Sequence, residues 1–353
     1  MDTQFYNKII RNFLNPIIEL IDNPEVNEIM INGHDDIWNE INGQIKKTDY
    51  KFKSEDDLFS AVNNIAQFVG KQINPKKPIM EARLPDGSRV HAILPPCSRK
   101  GICLAIRKFS KEALTIKKLI GFNALNQDMN GFLKVCINIR KNIIVSGGTS
   151  SGKTSLLNAI SNFIPNNERI IVIEDSSELQ LQQDHLVLLE TKEPDRHGKD
   201  GVSIRDLLSS TLRLTPNRIV IGELRGPEAF DLLQAMNTGH NGSMGTLHAN
   251  SPMDGLARFE TLTLLAGVPL SLDAIRRQIA SSVNIIIQTS RYSDGTRKIS
   301  NISEVLPLDK DGNYHVKDIF VFNQKEIDNK GKVIGSFEAT GYQPTFYEIG
   351  DKK

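Results

Sequence analysis

Eight consecutive residues, Gly147-Gly148-Thr149-Ser150-Ser151-Gly152-Lys153-Thr154, satisfy the pattern G-x-x-x-x-G-K-[ST], whose chemistry is polyphosphate binding. The glycines let the backbone curl so that successive N–H groups face phosphate oxygens. A lysine at the seventh place reaches the β- and γ-phosphates, and the following hydroxyl ligates the magnesium ion that bridges them. The surroundings fit. Asn142-Ile143-Ile144-Val145 reads as a buried strand, while Leu156, Leu157, Ile160 and Phe163 recur at helical spacing afterwards, so the loop ends at a helix N-terminus that favours anions. An incidental glycine-rich turn lacks that bracketing by strand and helix. The expected nucleotide ligands are therefore Gly147, Gly148, Thr149, Ser150, Ser151, Gly152, Lys153, Thr154 and Ser155, with ATP and Mg2+ as the bound species.

Phosphoryl transfer also needs carboxylates that hold the metal and aim water. Two strand ends supply them: 169–173 runs into Glu174-Asp175-Ser176-Ser177-Glu178, and Arg218-Ile219-Val220-Ile221-Gly222 runs into Glu223. One charge at a strand end is often a solvated turn, but two on a sheet that carries a phosphate loop point to chemistry. A third strand, 243–247, ends in His248 and follows Thr238-Gly239-His240 at a helix end. An imidazole there can donate to a terminal phosphate oxygen, cap a helix or satisfy a buried carbonyl, and the residue types leave these open.

These groups need a scaffold. Short buried runs at 142–146, 169–173, 218–221, 243–247 and 283–288 alternate with helical stretches, which implies a parallel sheet with crossover helices over 126–353. Pro227 and Gly239 bracket one such helix. Before it, alternating runs at 28–32 and 37–41 with Asn32-Gly33 and Asn42-Gly43 turns, a helix over 58–69 and strands at 89–94 and 101–109 give a smaller mixed α/β domain over 23–115. A linker is expected over 116–125. Phe5, Ile9, Phe13, Ile17 and Ile21 recur every four residues, describing an amphipathic helix within 1–22 that Pro16 kinks or splits and whose apolar face packs on the first domain or, as the alternative, docks on a membrane.

Composition agrees with a globular chain of two domains: 353 residues, 39% hydrophobic and 24% charged. No apolar run is long enough to span a bilayer and Met1-Asp2-Thr3-Gln4 begins no signal segment, so a cytoplasmic location is expected. Cys97, Cys103 and Cys136 form no metal-binding spacing and read as reduced packing residues. A net charge of +1 conceals a basic stretch, 71–118, where twelve Lys or Arg face three acids. That stretch either meets an anion or is a solvated face, and it lacks the aromatic interleaving of a single-strand binding groove.

Taken together the motifs resemble the motor ATPases of bacterial type II and type IV secretion and of type IV pili, over nearly the whole chain (24–349). Gly147 to Thr154 resembles the family's Walker A, Ile173-Glu174-Asp175-Ser176-Ser177-Glu178-Leu179 its aspartate box, Ile221-Gly222-Glu223-Leu224-Arg225-Gly226 its Walker B, and the segment from Thr238-Gly239-His240 to Gly245-Thr246-Leu247-His248-Ala249-Asn250 its histidine box. Glu28-Ile29-Met30-Ile31-Asn32-Gly33, Arg83-Leu84-Pro85-Asp86-Gly87-Ser88-Arg89-Val90, nearly all of 222–250 and Phe337-Glu338-Ala339-Thr340-Gly341 look like the CpaF branch, which drives tight-adherence pili. The resemblance implies a RecA-like motor domain, a PAS-like N-terminal domain, a homo-hexameric ring with nucleotide held between domains, and inner-membrane platform proteins as partners, with peripheral association to that membrane. It also assigns roles: Glu174 activates or orients the attacking water, Glu223 supports magnesium with Thr154, the two glutamates being able to exchange duties, and Lys153, His248 and Arg107 neutralise charge. Arg213 and Arg225 either join them or pair with acids. Only a short segment precedes residue 23, unlike the long extension of many CpaF-like chains, and no tetracysteine zinc module is present. A nucleic-acid translocase, a conjugative DNA-transfer motor and a slow nucleotide switch are the rivals. Near-neutral charge weighs against direct nucleic-acid binding, and no N-K-x-D motif suggests guanine.

Overall fold

Residues 11–41, 43–84, 86–109, 114–194 and 199–347 are described by a computed structural model, in which the chain divides into two units, Met1–Glu112 and Ala113–Lys353. The first is built on six antiparallel strands in the order β3-β2-β1-β6-β5-β4: β1 (Val26–Asn32), β2 (Ile37–Ile41), β3 (Gln44–Lys47), β4 (Ile79–Arg83), β5 (Arg89–Ile93) and β6 (Cys103–Arg107). Alternate residues turn inward, so Ile29, Ile31, Leu104 and Ile106 are buried. Two helices join them, α1 (Ile18–Asp22) and α2 (Glu55–Phe68). Ser54 caps α2 by accepting the Asp57 amide at 3.2 Å, three acids favour its positive end, and Leu58, Ala61, Val62 and Ile65 fill the core at helical spacing.

The amphipathic stripe expected before residue 22 is only partly realised. Phe5 and Ile9 lie outside the described residues. From Asn15 to Ile17 the chain is a 3-10 turn around Pro16, and the residues that enter the core are Leu14, Ile17 and Leu20, while Phe13 stays 39% exposed. Proline removes a helix hydrogen bond, and the break rotates the apolar face by about a residue.

The second unit carries nine strands in the order β15-β14-β13-β12-β7-β11-β10-β8-β9. Six run parallel: β7 (Ile143–Gly147), β8 (Ile170–Glu174), β9 (Leu186–Glu190), β10 (Arg218–Ile221), β11 (Met244–His248) and β12 (Ile285–Arg291). Three antiparallel strands extend the β12 edge, β13 (Arg297–Leu306), β14 (His315–Ile327) and β15 (Val333–Ala339). Side chains alternate between the faces, and both faces are covered. Ile143 and Val145 pack with α3 (Ile116–Gly121), α4 (Gln127–Asn138) and α5 (Lys153–Ser161). Ile144 packs opposite them with α6 (Ile204–Thr211), α7 (Glu228–Asn237), α8 (Pro252–Leu264) and α9 (Leu272–Ser282). Double burial is why these strands read as continuous apolar runs.

Three expectations change. The stretch 116–125 is not a bare linker: Thr115 caps α3, and Leu119 and Leu125 are buried in the core of the second unit. Cys97 is exposed and Cys103 half-buried, so of the three cysteines only Cys136 is a buried packing residue. Strands β9, β13, β14 and β15 were not foreseen.

Candidate nucleotide site

Strand β7 is buried throughout and delivers the loop at its end. Gly147 has no room for a side chain, since a Cβ there would collide with Thr289 Oγ1 and Ser151 Oγ. Gly152 adopts φ +94 and Ser150 φ +56, left-handed values that fold the loop back upon itself. Ser151 is turned inward: its Oγ donates to the Gly148 carbonyl at 2.9 Å and lies 2.8 Å from Thr289 Oγ1. Thr149 and Ser150 are exposed, and Thr154 and Ser155 are half-buried on the first turn of α5. Six other helices begin with a Ser, Thr or Asn side chain capping an amide, whereas Gly152 offers none. The first amides of α5 are thereby left to an anion.

Lys153 is 7% exposed, its Nζ donating to the Gly148 carbonyl at 2.9 Å and lying 3.4 Å from His248 Nδ1. Strand register explains the meeting, because His248 pairs with Gly147 across β11 and β7. His248 Nε2 in turn lies 2.7 Å from Glu223 Oε1, and Arg225 donates to Glu223 Oε2 at 2.6 Å and stands 3.5 Å from Asp175. Lysine, histidine, glutamate and arginine thus form a continuous polar line from the loop. Burial and the Lys153 charge hold the His248 pKa below its ordinary value against the pull of Glu223, so the ring is neutral, with Nδ1 the acceptor facing the ammonium. Arg225 is positioned by Glu228, whose carboxylate accepts the Arg225 and Gly226 amides at 2.7 and 2.8 Å.

Glu174 occupies a different place. Its Oε1 accepts the Glu178 and Leu179 amides at 2.9 and 3.0 Å, and it lies close to the Cα of Gly222, which admits it by lacking a side chain. Adjacent strands stand about 4.8 Å apart, so β11, β10 and β8 begin roughly 5, 10 and 15 Å from the loop strand in sheet order. His248 and Glu223 are the nearer pair. His240 follows α7, its amide donating to the Ala235 carbonyl at 3.1 Å, and its carbonyl accepts from Ser243 Oγ at 2.7 Å. Arg213 is exposed and turns back on its own helix, 3.5 Å from the Ser209 carbonyl. Arg107 belongs to the first unit, exposed at the end of β6, in register with Arg89, which is itself in register with Arg83.

The donor set suits magnesium and a polyphosphate. Glu223 Oε1 is buried 2.7 Å from His248 Nε2, and because each carboxylate oxygen has two lone pairs, capacity remains for a hard cation with the Thr154 hydroxyl. Residues that the sequence did not single out support the loop from the β12–β13 hairpin: Thr289 Oγ1 donates to the Ser146 carbonyl at 3.1 Å, Gln288 bridges Ser146 and Ala249, and Arg297 Nε donates to the Ser150 carbonyl at 2.8 Å. The Asp294-Gly295 turn was the sequence signal that could have found this hairpin.

The model of the family described as type II/IV secretion system protein matches residues 12–305. VirB11 of the type IV secretion system of Bartonella quintana is 33% identical over 333 residues, covering 83% of this chain and 92% of that protein. A Mycobacterium tuberculosis protein described as a conjugal transfer protein is 31% identical over 282 residues, covering 78% of this chain and 80% of its own. Among solved structures, the pilus retraction motor PilT with bound ADP superposes with a TM-score of 0.58 at 23% identity, over 86% of this chain and 84% of that one, a likeness of fold. With the phosphate loop, both strand-end glutamates and the terminal histidine in family order, the chain belongs to the type II/IV secretion system protein family.

Proposed function

We propose that the chain is a magnesium-dependent ATPase, working as a homo-hexameric motor that powers pilus assembly or protein secretion. The observation that carries this is the line Lys153–His248–Glu223–Arg225 leading away from the loop. Glycine-lined amides and Lys153 bind and orient the phosphates, and His248 and Arg225 keep Glu223 in place. Bound magnesium supplies charge neutralisation on the phosphate oxygens. Glu223, with Thr154, is the metal-side residue, while Glu174 orients the attacking water through the network beyond Gly222. Arg107 neutralises charge on the transferring group, and Arg107→Ala should lower kcat if it does. VirB11 and the relatives named for secretion support the reading. The assignment to a CpaF-like pilus motor rests on the segments 28–33, 83–90 and 222–250. A cytoplasmic location beside inner-membrane platform proteins accompanies it; among the described residues no helix is long and apolar enough to cross a membrane.

The test is a pair of variants. Lys153→Ala should abolish ATP binding. Glu223→Gln should retain binding and lower turnover by about 100-fold or more. Normal hydrolysis by either would reject the assigned roles. A second reading, a DNA-transfer motor of a conjugative system, is favoured by the relatives named for conjugal transfer.

A further inference from the structure

We propose that Arg297 is a positioning residue for the phosphate loop: its side chain holds the Ser150 carbonyl out of the cradle, so that the loop rests in a shape able to receive phosphate. The inference rests on the nucleotide-binding reading above and names a residue that no motif of the loop contains. The bond is direct, Arg297 Nε donating to Ser150 O at 2.8 Å, and the side chain runs on beneath the loop, where a Cβ on Gly152 would stand 3.6 Å from Arg297 Cδ.

Both ends of this strut are defined. On one side, the backbone around Arg297 is fixed. The preceding turn is closed by Asp294, whose Oδ1 accepts the Thr296 amide and hydroxyl at 2.9 and 2.7 Å and whose Oδ2 accepts the Val333 amide at 2.9 Å. The next two residues are tied down as well, with Lys298 Nζ donating to Asn123 O at 3.0 Å and Ile299 N donating to Ala124 O at 2.8 Å. On the other side, Ser150 sits at φ +56, a left-handed conformation that a residue with a side chain adopts only where its surroundings enforce it. A carbonyl carries the negative end of the peptide dipole. If the peptide after Ser150 turned over, that oxygen would face the incoming phosphate oxygens and the loop would repel its ligand. Arg297 makes the alternative expensive by giving the carbonyl a charged donor on the outer side.

Such a residue acts on binding more than on chemistry. Without it the competent loop is a fraction of the population, and apparent affinity falls by that fraction. Once phosphate is seated, the loop amides hold the same shape, so the chemical step changes little.

The experiment measures the Kd of a fluorescent ADP analogue, the KM and kcat for ATP, and the thermal midpoint, in the wild-type chain, Arg297→Ala, Arg297→Gln and Lys153→Ala. Glutamine places its amide nitrogen the same number of bonds from Cα as the arginine Nε, so it keeps the donor to Ser150 and discards the guanidinium charge. Arg297→Ala should weaken ADP and raise KM by about tenfold, the size of one charge-assisted hydrogen bond, with kcat within about twofold of wild type. Arg297→Gln should recover most of that loss. The proposal is overturned by wild-type affinity in Arg297→Ala, by a kcat loss at unchanged KM, by equal losses in the alanine and glutamine variants, or by a lowered thermal midpoint with unaltered Kd. Should Arg297→Ala fail to fold, Arg297→Met takes its place, keeping the side-chain length without the donor, and should show the same loss, wild-type affinity in it overturning the proposal. A folded wild-type chain that binds no ADP analogue would instead sink the nucleotide-site reading itself.

Discussion

At the scale of single residues, the most buried charge among the described residues lies outside the site. The Arg218 side chain is 1% exposed and pairs with Glu168, while also donating to the Ile137 carbonyl at 2.8 Å and the Gly242 carbonyl at 3.3 Å. Gly242 lies against the guanidinium so closely that a Cβ would overlap it, and its φ of +84 suits glycine as well. Burial alone would raise the Glu168 pKa, but the hydrogen bonds and charge of Arg218, with Arg140 at 3.3 Å, outweigh it and hold the carboxyl below its ordinary value. A depressed carboxylate pKa contributes stability that is fully present above the unfolded value and is lost as pH falls through the folded one. Urea midpoints should therefore be flat across neutral pH and drop below pH 4.5, the ordinary value of the group. Glu168→Gln leaves the buried guanidinium without its counter-charge, a loss of about 3–5 kcal/mol at neutral pH, and should flatten the acid limb. Equal acid limbs in both proteins would show that other carboxylates set it.

At the scale of elements, the strands that carry chemistry begin from one residue. Asn142 Oδ1 accepts the Gly242 and Ser243 amides at 2.7 and 3.1 Å ahead of β11, and its Nδ2 donates to the Ser282 carbonyl at 2.8 Å ahead of β12. It thereby aligns the starts of β7, β11 and β12, the strands that end in Gly147, His248 and the loop-supporting hairpin. Asn142→Ala orphans buried amides and should cost about 2–4 kcal/mol by chemical denaturation, while a loss under about 1 kcal/mol would mean that water replaces the side chain. The five parallel strands expected from apolar runs are all present because burial on both faces leaves an uninterrupted signature. Strand β9 escaped notice because it lies at the sheet edge, where Leu188 is 58% exposed and no polar alternation marks a face. The β13–β15 extension was hidden by charge, since the end of β14 is exposed from Asn323 to Ile327, although Asp294-Gly295, Asp311-Gly312 and Lys330-Gly331 marked its turns. Within the site, the loop and the strand-end acids were legible because a motif is local in sequence. Arg297 and Thr289 were not, since they reach the loop from 147 and 138 residues away in the chain, and spacing carries no information over that distance.

At the scale of the whole molecule, the two readings of function differ in what they ask of the surface. In the motor reading the chain assembles with itself, and light scattering with an ATP analogue should report six copies of the 39.4 kDa chain, whereas a monomer at every nucleotide state would reject a ring. In the DNA-transfer reading the chain must also grip a polyanion. Its net charge is +1, and the part of the basic stretch in the first unit, 71–112, has ten Lys or Arg against three acids, with Arg83, Arg89 and Arg107 in register across three strands. Cross-strand neighbours are about 5 Å apart, so the row is short, and Arg83 also donates from Nε to the Gly87 carbonyl at 3.2 Å. Duplex DNA bound specifically engages about six to ten phosphates along a much longer path and gives a steep loss of affinity with salt. Three arginines spanning roughly 10 Å are too short for that footprint. ATPase activity should therefore be indifferent to single- and double-stranded DNA at low and moderate salt, and Arg83→Ala or Arg89→Ala should leave that indifference unchanged. Stimulation by DNA that fades as salt rises, and that the same two variants abolish, would transfer the row to nucleic acid and make the conjugative reading the correct one.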